Sequence, residues 1–210
     1  MPYFLCLPRQ ENHASLSKGN VVIPMLAKSF LEQLQKNLSE ELYCHCLGVE
    51  ETAAKLALSL GYSESKARLA GLLHDCAREW PHQKLLDFAR QCGIETDSFA
   101  LRYPVLLHAP VGAAQAYAWG ISDGGILAAI RNHTLGYPGM AVLEQIVYVA
   151  DKIEPGRTFP GVAELRELVA KDFKLGLKQA AAQSIAHVLH KNQPLHPLTV
   201  GFWNWLVEMR

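Results

Sequence analysis

The sequence lacks the features that assign a function from composition alone. Its 20 basic and 20 acidic residues cancel, so no positive excess points to nucleic acid or to an anionic membrane surface. No run of about 18 apolar residues indicates a membrane span, and the first ten residues lack the basic start of a signal peptide. Its five irregularly spaced cysteines suggest no disulfide framework, which predicts a cytoplasmic protein.

Alternation typical of β-strands is also scarce, and apolar residues instead recur with the 3.6-residue period of a helix. The sequence therefore predicts an all-α fold of roughly eight to ten helices with no significant sheet. Residues 1–20 are expected to form a poorly ordered N-terminal extension, and residues 21–210 a single helical domain. The predicted helices span residues 22–37, 39–61, 63–80, 81–93, 105–119, 123–133, 140–152, 162–173, 174–191 and 199–208.

What the chain does contain is a set of imidazole and carboxylate groups that continue the apolar stripes of several predicted helices. Neutral imidazole and carboxylate are the ligands that borderline and hard divalent metals accept. Their wide spacing excludes a compact finger or an EF-hand loop, so several helices would have to converge around the ions. This pattern indicates a metal-dependent hydrolase. The set comprises His45, His74, Asp75, His108, His133 and Asp151.

Each of these residues has a simpler interpretation when it is taken alone. A single histidine on an apolar stripe is more often a hydrogen-bonded core residue than a ligand. Asp151 could pair with Lys152 or with Arg157. Six such groups with the same orientation nevertheless favour metal, because a carboxylate is costly to desolvate unless it is paired or metal-bound.

Two arginines are candidates for binding phosphate. Arg78 lies one turn beyond Asp75, and Arg157 lies in the Pro- and Gly-rich loop 154–161. Guanidinium pairs with phosphate through two parallel hydrogen bonds, although both arginines could equally be surface residues. Thr134, directly after His133, could let the backbone approach a ligand, and a plain turn is an equal alternative.

The segments around these residues resemble the HD-domain metal-dependent phosphohydrolase superfamily, and within it the YqeK-type symmetrical bis(5'-nucleosyl)-tetraphosphatases. The similarity extends over about residues 40–206. It is carried by HCLGVEETAAKLA (45–57), AGLLHDCAR (70–78), YPVLLHAPVGA (103–113), AIRNHTLGYPGM (129–140), IVYVADKIEPGRTFPGV (146–162) and PLHPLTVGFWNWL (194–206).

The resemblance implies one or two divalent metals, with iron favoured over manganese or zinc, and a homodimer. It implies that diadenosine tetraphosphate (Ap4A) is split into two ADP by a metal-activated hydroxide. The implied ligands of the first ion are His45, His74, Asp75 and Asp151. His108 and His133 would hold a second ion, with Asp75 bridging, or would contact phosphate. The implied catalytic residues are His74, Asp75 and Arg78, and the implied substrate contacts are Arg78, His108, His133, Thr134, Arg157, His196 and Asn204.

Some positions leave alternatives open. Leu42 stands where the resembled family usually has an arginine, and Arg78 where it usually has a lysine, a change that replaces a point charge by a planar fork. His196 could simply start a helix, with Pro197 in its first turn. An HD-type phosphatase of dNMP or NDP nucleotides, or a low-turnover nucleotide-binding regulatory module that retains metal, is therefore an alternative function. The expected partner is a dinucleoside polyphosphate or an ADP- or GDP-like nucleotide, with neither nucleic acid nor membrane.

Overall fold

The computed structural model describes the backbone of residues 22–209 and the side chains from residue 29 onward. In this part of the chain there are eleven α-helices and no strand, so the predicted all-α class is confirmed. The expected extension at residues 1–20 lies outside the described residues. The helices are α1 (Val22–Asn37), α2 (Glu40–Ser59), α3 (Glu64–Leu73), α4 (His82–Gln91), α5 (Ser98–Arg102), α6 (His108–Ala118), α7 (Gly124–Asn132), α8 (Val142–Ile153), α9 (Val162–Lys171), α10 (Phe173–His190) and α11 (Pro197–Glu208).

Short polar side chains start several of these helices. The Ser39 and Ser63 hydroxyls accept the backbone N–H groups of Leu42 and Lys66, as N-caps do. Ser39 is itself fixed by Glu79, which accepts hydrogen bonds from its backbone N–H at 2.7 Å and from its hydroxyl at 2.6 Å. The start of α2 is therefore anchored to the segment that follows α3.

Two differences from the sequence prediction bear on the site. The helix predicted over residues 63–80 ends at Leu73, and residues 74–79 form turns in which Arg78 N–H donates to the carbonyl of Asp75. Neighbouring residues on an α-helix point about 100° apart, so leaving the helix allows His74 and Asp75 to face one region. The loop expected at residues 95–104 contains the short helix α5 and begins a 3₁₀ turn, Pro104–Leu107.

Helix α8 lies at the centre of the molecule. One of its faces, with Ile146 and Val147, packs into the core formed with α2, α3 and α7. The opposite face, with Tyr148 and Val149, packs into a second core shared with α9, α10 and α11. Because both faces are covered, even its polar residues Glu144 and Asp151 are buried inside the protein. Within residues 22–209, none of the helices combines the length and apolar character needed to cross a bilayer.

Candidate metal centre

The structure brings the six candidate ligands together from five separate elements. His45 lies on α2, the pair His74–Asp75 directly follows α3, and His108 begins α6. The remaining two are on or beside α7 and α8. Five of the six are nearly inaccessible and His45 is half-buried, as expected from the apolar stripes. Their exposed fractions are 0% for His74, 6% for Asp75, 2% for His108, 2% for His133 and 5% for Asp151.

The first group of ligands consists of His45, His74 and Asp151. His45 Nε2 lies 3.1 Å from Asp151 Oδ1 and 3.3 Å from His74 Nε2. His74 Nε2 lies 3.9 Å from the same Asp151 oxygen. The three atoms are therefore close enough to face one ion.

The second group consists of Asp75, His108 and His133. Asp75 Oδ1 lies 3.1 Å from His108 Nε2 and 3.3 Å from His133 Nε2, and these two nitrogens are 3.2 Å apart. The other oxygen of Asp75, Oδ2, lies 3.5 Å from His74 Nε2. Asp75 thus connects the second group to the first.

Three of the four histidines are held in the same tautomer by the backbone. In His74, His108 and His133, Nδ1 lies 2.5–2.8 Å from the carbonyl oxygen three residues earlier. A carbonyl can only accept, so each Nδ1 carries the hydrogen and each Nε2 presents a lone pair. The three Nε2 lone pairs all point into the cluster of carboxylate oxygens.

The resulting collection of acceptors fits a divalent cation. Asp75 Oδ1 is buried without a hydrogen-bond partner. Thr134 Oγ1 lies 3.0 Å from both His108 Nε2 and His133 Nε2, but its one hydrogen can be donated to only one of them. Two ligand atoms that are each about 2.1 Å from an ion lie about 3.0–3.4 Å apart at octahedral or tetrahedral angles. All three distances in the second group and two of the three in the first match that spacing, while His74 Nε2 and Asp151 Oδ1 are farther apart at 3.9 Å. A cation satisfies acceptors that protein donors leave unpaired.

The ionisation of these groups also suits metal. Burial lowers the pKa of His74 to about 4 and lowers that of His108. Burial alone would raise the pKa of Asp75 and of Asp151, but the neighbouring imidazoles, and for Asp151 the charge of Lys152, hold both pKa values well below the ordinary carboxyl value. At neutral pH His74 and His108 are therefore neutral while Asp75 and Asp151 are ionised, the forms that bind metal. The pKa of His45 is instead raised, because its burial is outweighed by its contacts with Asp151 and Glu154.

His45 differs from the other histidines because its outer partner is a side chain. Its Nδ1 lies 3.1 Å from Glu154 Oε1, and Glu154 is only 4% exposed. The other Glu154 oxygen accepts the Gly156 N–H at 2.6 Å. A Cβ atom at Gly48 would come within 2.6 Å of that oxygen, so only glycine leaves room for it. Sequence reasoning missed Glu154, since nothing local links it to a histidine 109 positions earlier.

Asp151 pairs with both Lys152 and Arg157, the two alternative partners that the sequence suggested. Lys152 Nζ lies 2.7 Å from Asp151 Oδ2, and Arg157 Nη2 donates to Oδ1. Arg157 also donates from Nε to the Asp151 carbonyl at 2.7 Å, and its Nη2 lies 3.4 Å from His45 Nε2. Arg157 is therefore anchored beside the first group rather than being a free surface residue.

Arg166 on α9 fixes the loop that carries Glu154 and Arg157. Its Nε donates to the Ile153 carbonyl at 2.9 Å, and its Nη2 donates to the carbonyls of Glu154 and Arg157 at 2.7 and 2.8 Å. These carbonyls lie at and just beyond the end of α8, where helix carbonyls lack intrahelical partners. Arg166 is a second residue that sequence reasoning did not identify.

A cavity of about 1110 Å³ opens over both groups. The candidate phosphate contacts Arg78, Thr134 and Arg157 lie on its wall, and Arg78 Nη1 is 3.2 Å from His108 Nδ1. His196 and Asn204 do not line this cavity, so their expected substrate contacts stay predictions. The lining also includes Leu42, Lys152 and His187.

Comparisons with known proteins agree with this geometry. The HD domain family model matches residues 42–156. The chain is 42% identical over 179 residues to a Bacillus subtilis protein named symmetrical bis(5'-nucleosyl)-tetraphosphatase, covering 83% of this chain and 94% of that one. A protein of the same name from Halalkalibacterium halodurans is 36% identical, with 84% and 95% covered.

A solved structure from Clostridium acetobutylicum, described as a predicted HD superfamily hydrolase involved in NAD metabolism, is also similar. It superposes with a TM-score of 0.85 at 38% identity, covering 88% of this chain and 98% of that one. Fold, ligand geometry and sequence similarity therefore agree, and the chain belongs to the HD domain family.

Proposed function

We propose that this protein is a metal-dependent phosphohydrolase that cleaves Ap4A symmetrically into two ADP. The observation that carries the proposal is the buried cluster of imidazole nitrogens and carboxylate oxygens at the base of a large cavity, in which Asp75 Oδ1 has no hydrogen-bond partner. The relatives named symmetrical bis(5'-nucleosyl)-tetraphosphatases, which align over most of the chain, support the choice of substrate. The cavity volume suits a ligand of that size.

In this proposal, His45, His74, Asp75 and Asp151 would hold one ion, and His108 and His133 would hold a second together with Asp75. Imidazole and carboxylate suit iron, manganese and zinc alike, and iron is the metal that the family resemblance favours. When bound, the ions supply charge neutralisation at the phosphoryl oxygens and a more acidic water. The tautomers fixed by backbone carbonyls keep the ligand nitrogens aimed at the ions without rearrangement.

The chain's own residues orient the substrate. Arg78 and Arg157 stand on the cavity wall near the two groups and pair with the phosphates, which positions the chain of anhydrides and neutralises its charge. Thr134 donates its hydroxyl hydrogen to a phosphoryl oxygen instead of to His108 or His133. Lys152, held by Asp151, adds positive charge to the same wall.

The reaction itself is a hydrolysis at the central anhydride. A water oxygen forms a bond to one of the two middle phosphorus atoms, and the bond from that phosphorus to the bridging oxygen breaks. The bridging oxygen leaves as the terminal phosphate oxygen of one ADP, and the attacked phosphorus ends the other. The departing oxygen gains negative charge, which nearby arginines stabilise.

Product identity is the direct test. The purified protein is loaded separately with Fe²⁺, Mn²⁺ and Zn²⁺, and Ap4A, GDP and dAMP are followed by chromatography. ADP as the sole product from Ap4A is expected, whereas AMP together with ATP contradicts symmetrical cleavage. Phosphate release from dAMP or GDP in preference to Ap4A supports the nucleotide phosphatase instead.

One observation favours the low-turnover regulatory alternative. Leu42 lies in the cavity lining, where an apolar side chain contributes no phosphate contact. That alternative predicts bound metal and bound nucleotide without turnover. The homodimer, the cytoplasmic location and the lack of nucleic-acid or membrane partners also stay predictions.

A further inference from the structure

Helix α11 contacts both segments that deliver the histidines of the second group. We propose that α11 holds in place the two segments that carry His108 and His133, the ligands of the second ion, and we call this arrangement the clamp. His196, at the start of α11, is then a positioning residue rather than a substrate ligand. This inference rests on the proposed two-ion function. It assigns a role to the segment after α10 that neither the cavity nor the family comparison identifies.

The first contact of the clamp is made by His196. Its Nδ1 accepts the N–H of Leu198 at 3.1 Å, so the ring hydrogen is on Nε2, which lies 2.8 Å from Asp97 Oδ2. Asp97 at the same time caps α5 by accepting the N–H of Ala100 at 2.8 Å. The His196 side chain is only 10% exposed, and its ring packs against Phe99 with centroids 4.9 Å apart.

A short stretch of chain connects the Asp97–His196 contact to His108. Helix α5 leads directly into the 3₁₀ turn Pro104–Leu107, with Tyr103 N–H donating to the Phe99 carbonyl at 2.7 Å. The carbonyl of Val105 in this turn accepts the Nδ1 hydrogen of His108. The orientation of the His108 ring therefore depends on where α5 and the turn lie, and His196 holds α5.

The second contact of the clamp lies just beyond His133. Thr199, in the first turn of α11, donates its hydroxyl to the carbonyl of Leu135 at 3.0 Å. Gly136 has φ +70°, and a Cβ atom there would come within 2.2 Å of the Phe202 ring. The loop thus lies directly on a fully buried aromatic side chain, an approach that only glycine permits.

The two contacts begin within four residues of one another on α11, although the segments they hold are about 30 residues apart in sequence. His108 and His133 must keep their Nε2 atoms 3.2 Å apart, and each is attached to a short or irregular stretch. Rigid support of this kind is what holds ligands in a binding geometry. Phe202 also packs on Tyr148 of α8, so it is not a selective site for mutation.

The test uses two substitutions that keep the helix caps but remove the cross-contact. His196→Asn and Asp97→Ser each retain a residue that caps helices well, and neither new side chain reaches across. The matched control is His82→Asn, at the exposed start of α4. Mn²⁺ titrations monitored by EPR distinguish a coupled two-ion centre from a single ion.

We expect both variants to lose about tenfold in affinity for the second ion while the first ion binds as in the unsubstituted protein. The double variant should be no worse than either single variant, because both remove one interaction. Loss of both ions together, accompanied by a lowered Tm, indicates a merely structural role and overturns the clamp. Unchanged affinity in both variants overturns it as well.

Hydrogen exchange of the metal-free protein separates this inference from the proposed function. His196→Asn should speed exchange in residues 98–108 and also in residues 133–140, which the substitution does not touch. A change confined to residues 98–108 contradicts the clamp. If the unsubstituted protein binds two ions but makes no ADP, the proposed function fails, while the metal titrations and the exchange result still decide the clamp. If it binds only one ion, α11 has no second ion to support and the clamp is overturned.

Discussion

The two ligand groups are held in place by different kinds of contact. Around the first group, charged side chains dominate: Glu154 supports His45, while Lys152 and Arg157 pair with Asp151. In the second group, His108 and His133 are fixed by carbonyls three residues earlier in their own segments. The first arrangement depends on charged side chains, of which Glu154 lies 109 residues from the histidine that it supports, and the second depends on local backbone geometry.

This difference predicts how each group responds to substitution. A charge network in a partly buried site loses most when one partner is removed, because the remaining charge is left uncompensated. A ring held by its own backbone loses little from distant side-chain changes unless the backbone itself moves. The two groups should therefore be separable by mutation, except at the residue that they share.

The largest effect is expected at that shared residue. Asp75→Ala removes one oxygen from beside His74 and the other from between His108 and His133, so both ions and all turnover should be lost. Metal content by mass spectrometry and ADP release from Ap4A provide the measurement. Retained turnover would refute the ligand assignment, and retention of one ion would show that Asp75 belongs to a single group.

Glu154→Gln should affect the first group alone. It keeps an acceptor for His45 but removes the charge, and changes in such outer partners typically cost 10–100-fold in metal affinity. Metal titration should show weaker binding of one ion only. Glu164→Gln, an exposed position on α9, serves as the matched control and should bind metal normally. Equal weakening of both ions would contradict the separation of the groups.

Arg166→Lys should have a somewhat smaller effect. Lysine cannot place donors on three carbonyls at once, and the loss of hydrogen bonds from a charged group costs about 2 kcal/mol. We expect a lower free energy of unfolding in urea and weaker binding of the first ion. Normal binding of the first ion in a destabilised protein would show that the loop keeps its shape without Arg166.

The smallest effect is expected at the start of α7, the helix that leads to His133 of the second group, and it concerns stability alone. Asp123 accepts the N–H groups of Gly125 and Ile126, and Asp123→Ala should lower stability by about 1 kcal/mol. A hydrogen bond from Lys66 lowers the pKa of Asp123. A depressed folded-state pKa means that this contribution is present above the unfolded carboxyl pKa of about 4 and is lost as the pH falls further.

Urea unfolding at neutral and acidic pH checks the sign of this effect. The difference between Asp123→Ala and the unsubstituted protein should shrink as the pH falls below about 4. A difference that grows in acid would contradict the assignment. Metal affinity should be unaltered, because the second group is fixed at the opposite end of α7.

Local signals were sufficient to predict much of this architecture. Residues 22–37 form one helix as predicted, and Ser39 and Ser63 act as N-caps, because capping and apolar periodicity depend on neighbours in sequence. Burial of His74 and Asp151 also followed from their stripes. The helix through His74 was predicted too long, since its early end serves a tertiary arrangement that propensity does not record.

The parts that could not be predicted are the long-range partners. The roles of Glu154 and Arg166 are recognisable only once α2, α8 and α9 are packed together. Glu154 contacts a histidine on another helix and Arg166 contacts backbone carbonyls, and neither contact produces a periodic pattern in the sequence. The resemblance suggested a substrate contact for His196, yet its hydrogen bond to Asp97 joins positions 99 residues apart. No rule of sequence spacing indicates such a pair.

Asp75 directs one oxygen toward each group. In the proposed centre, this shared carboxylate makes the two loading equilibria thermodynamically linked. If binding of the first ion changes the affinity for the second by some factor, binding of the second ion must change the affinity for the first by the same factor. Partial metal starvation would then not remove half of the ions evenly, and the ratio of singly to doubly loaded molecules would report the strength of that linkage.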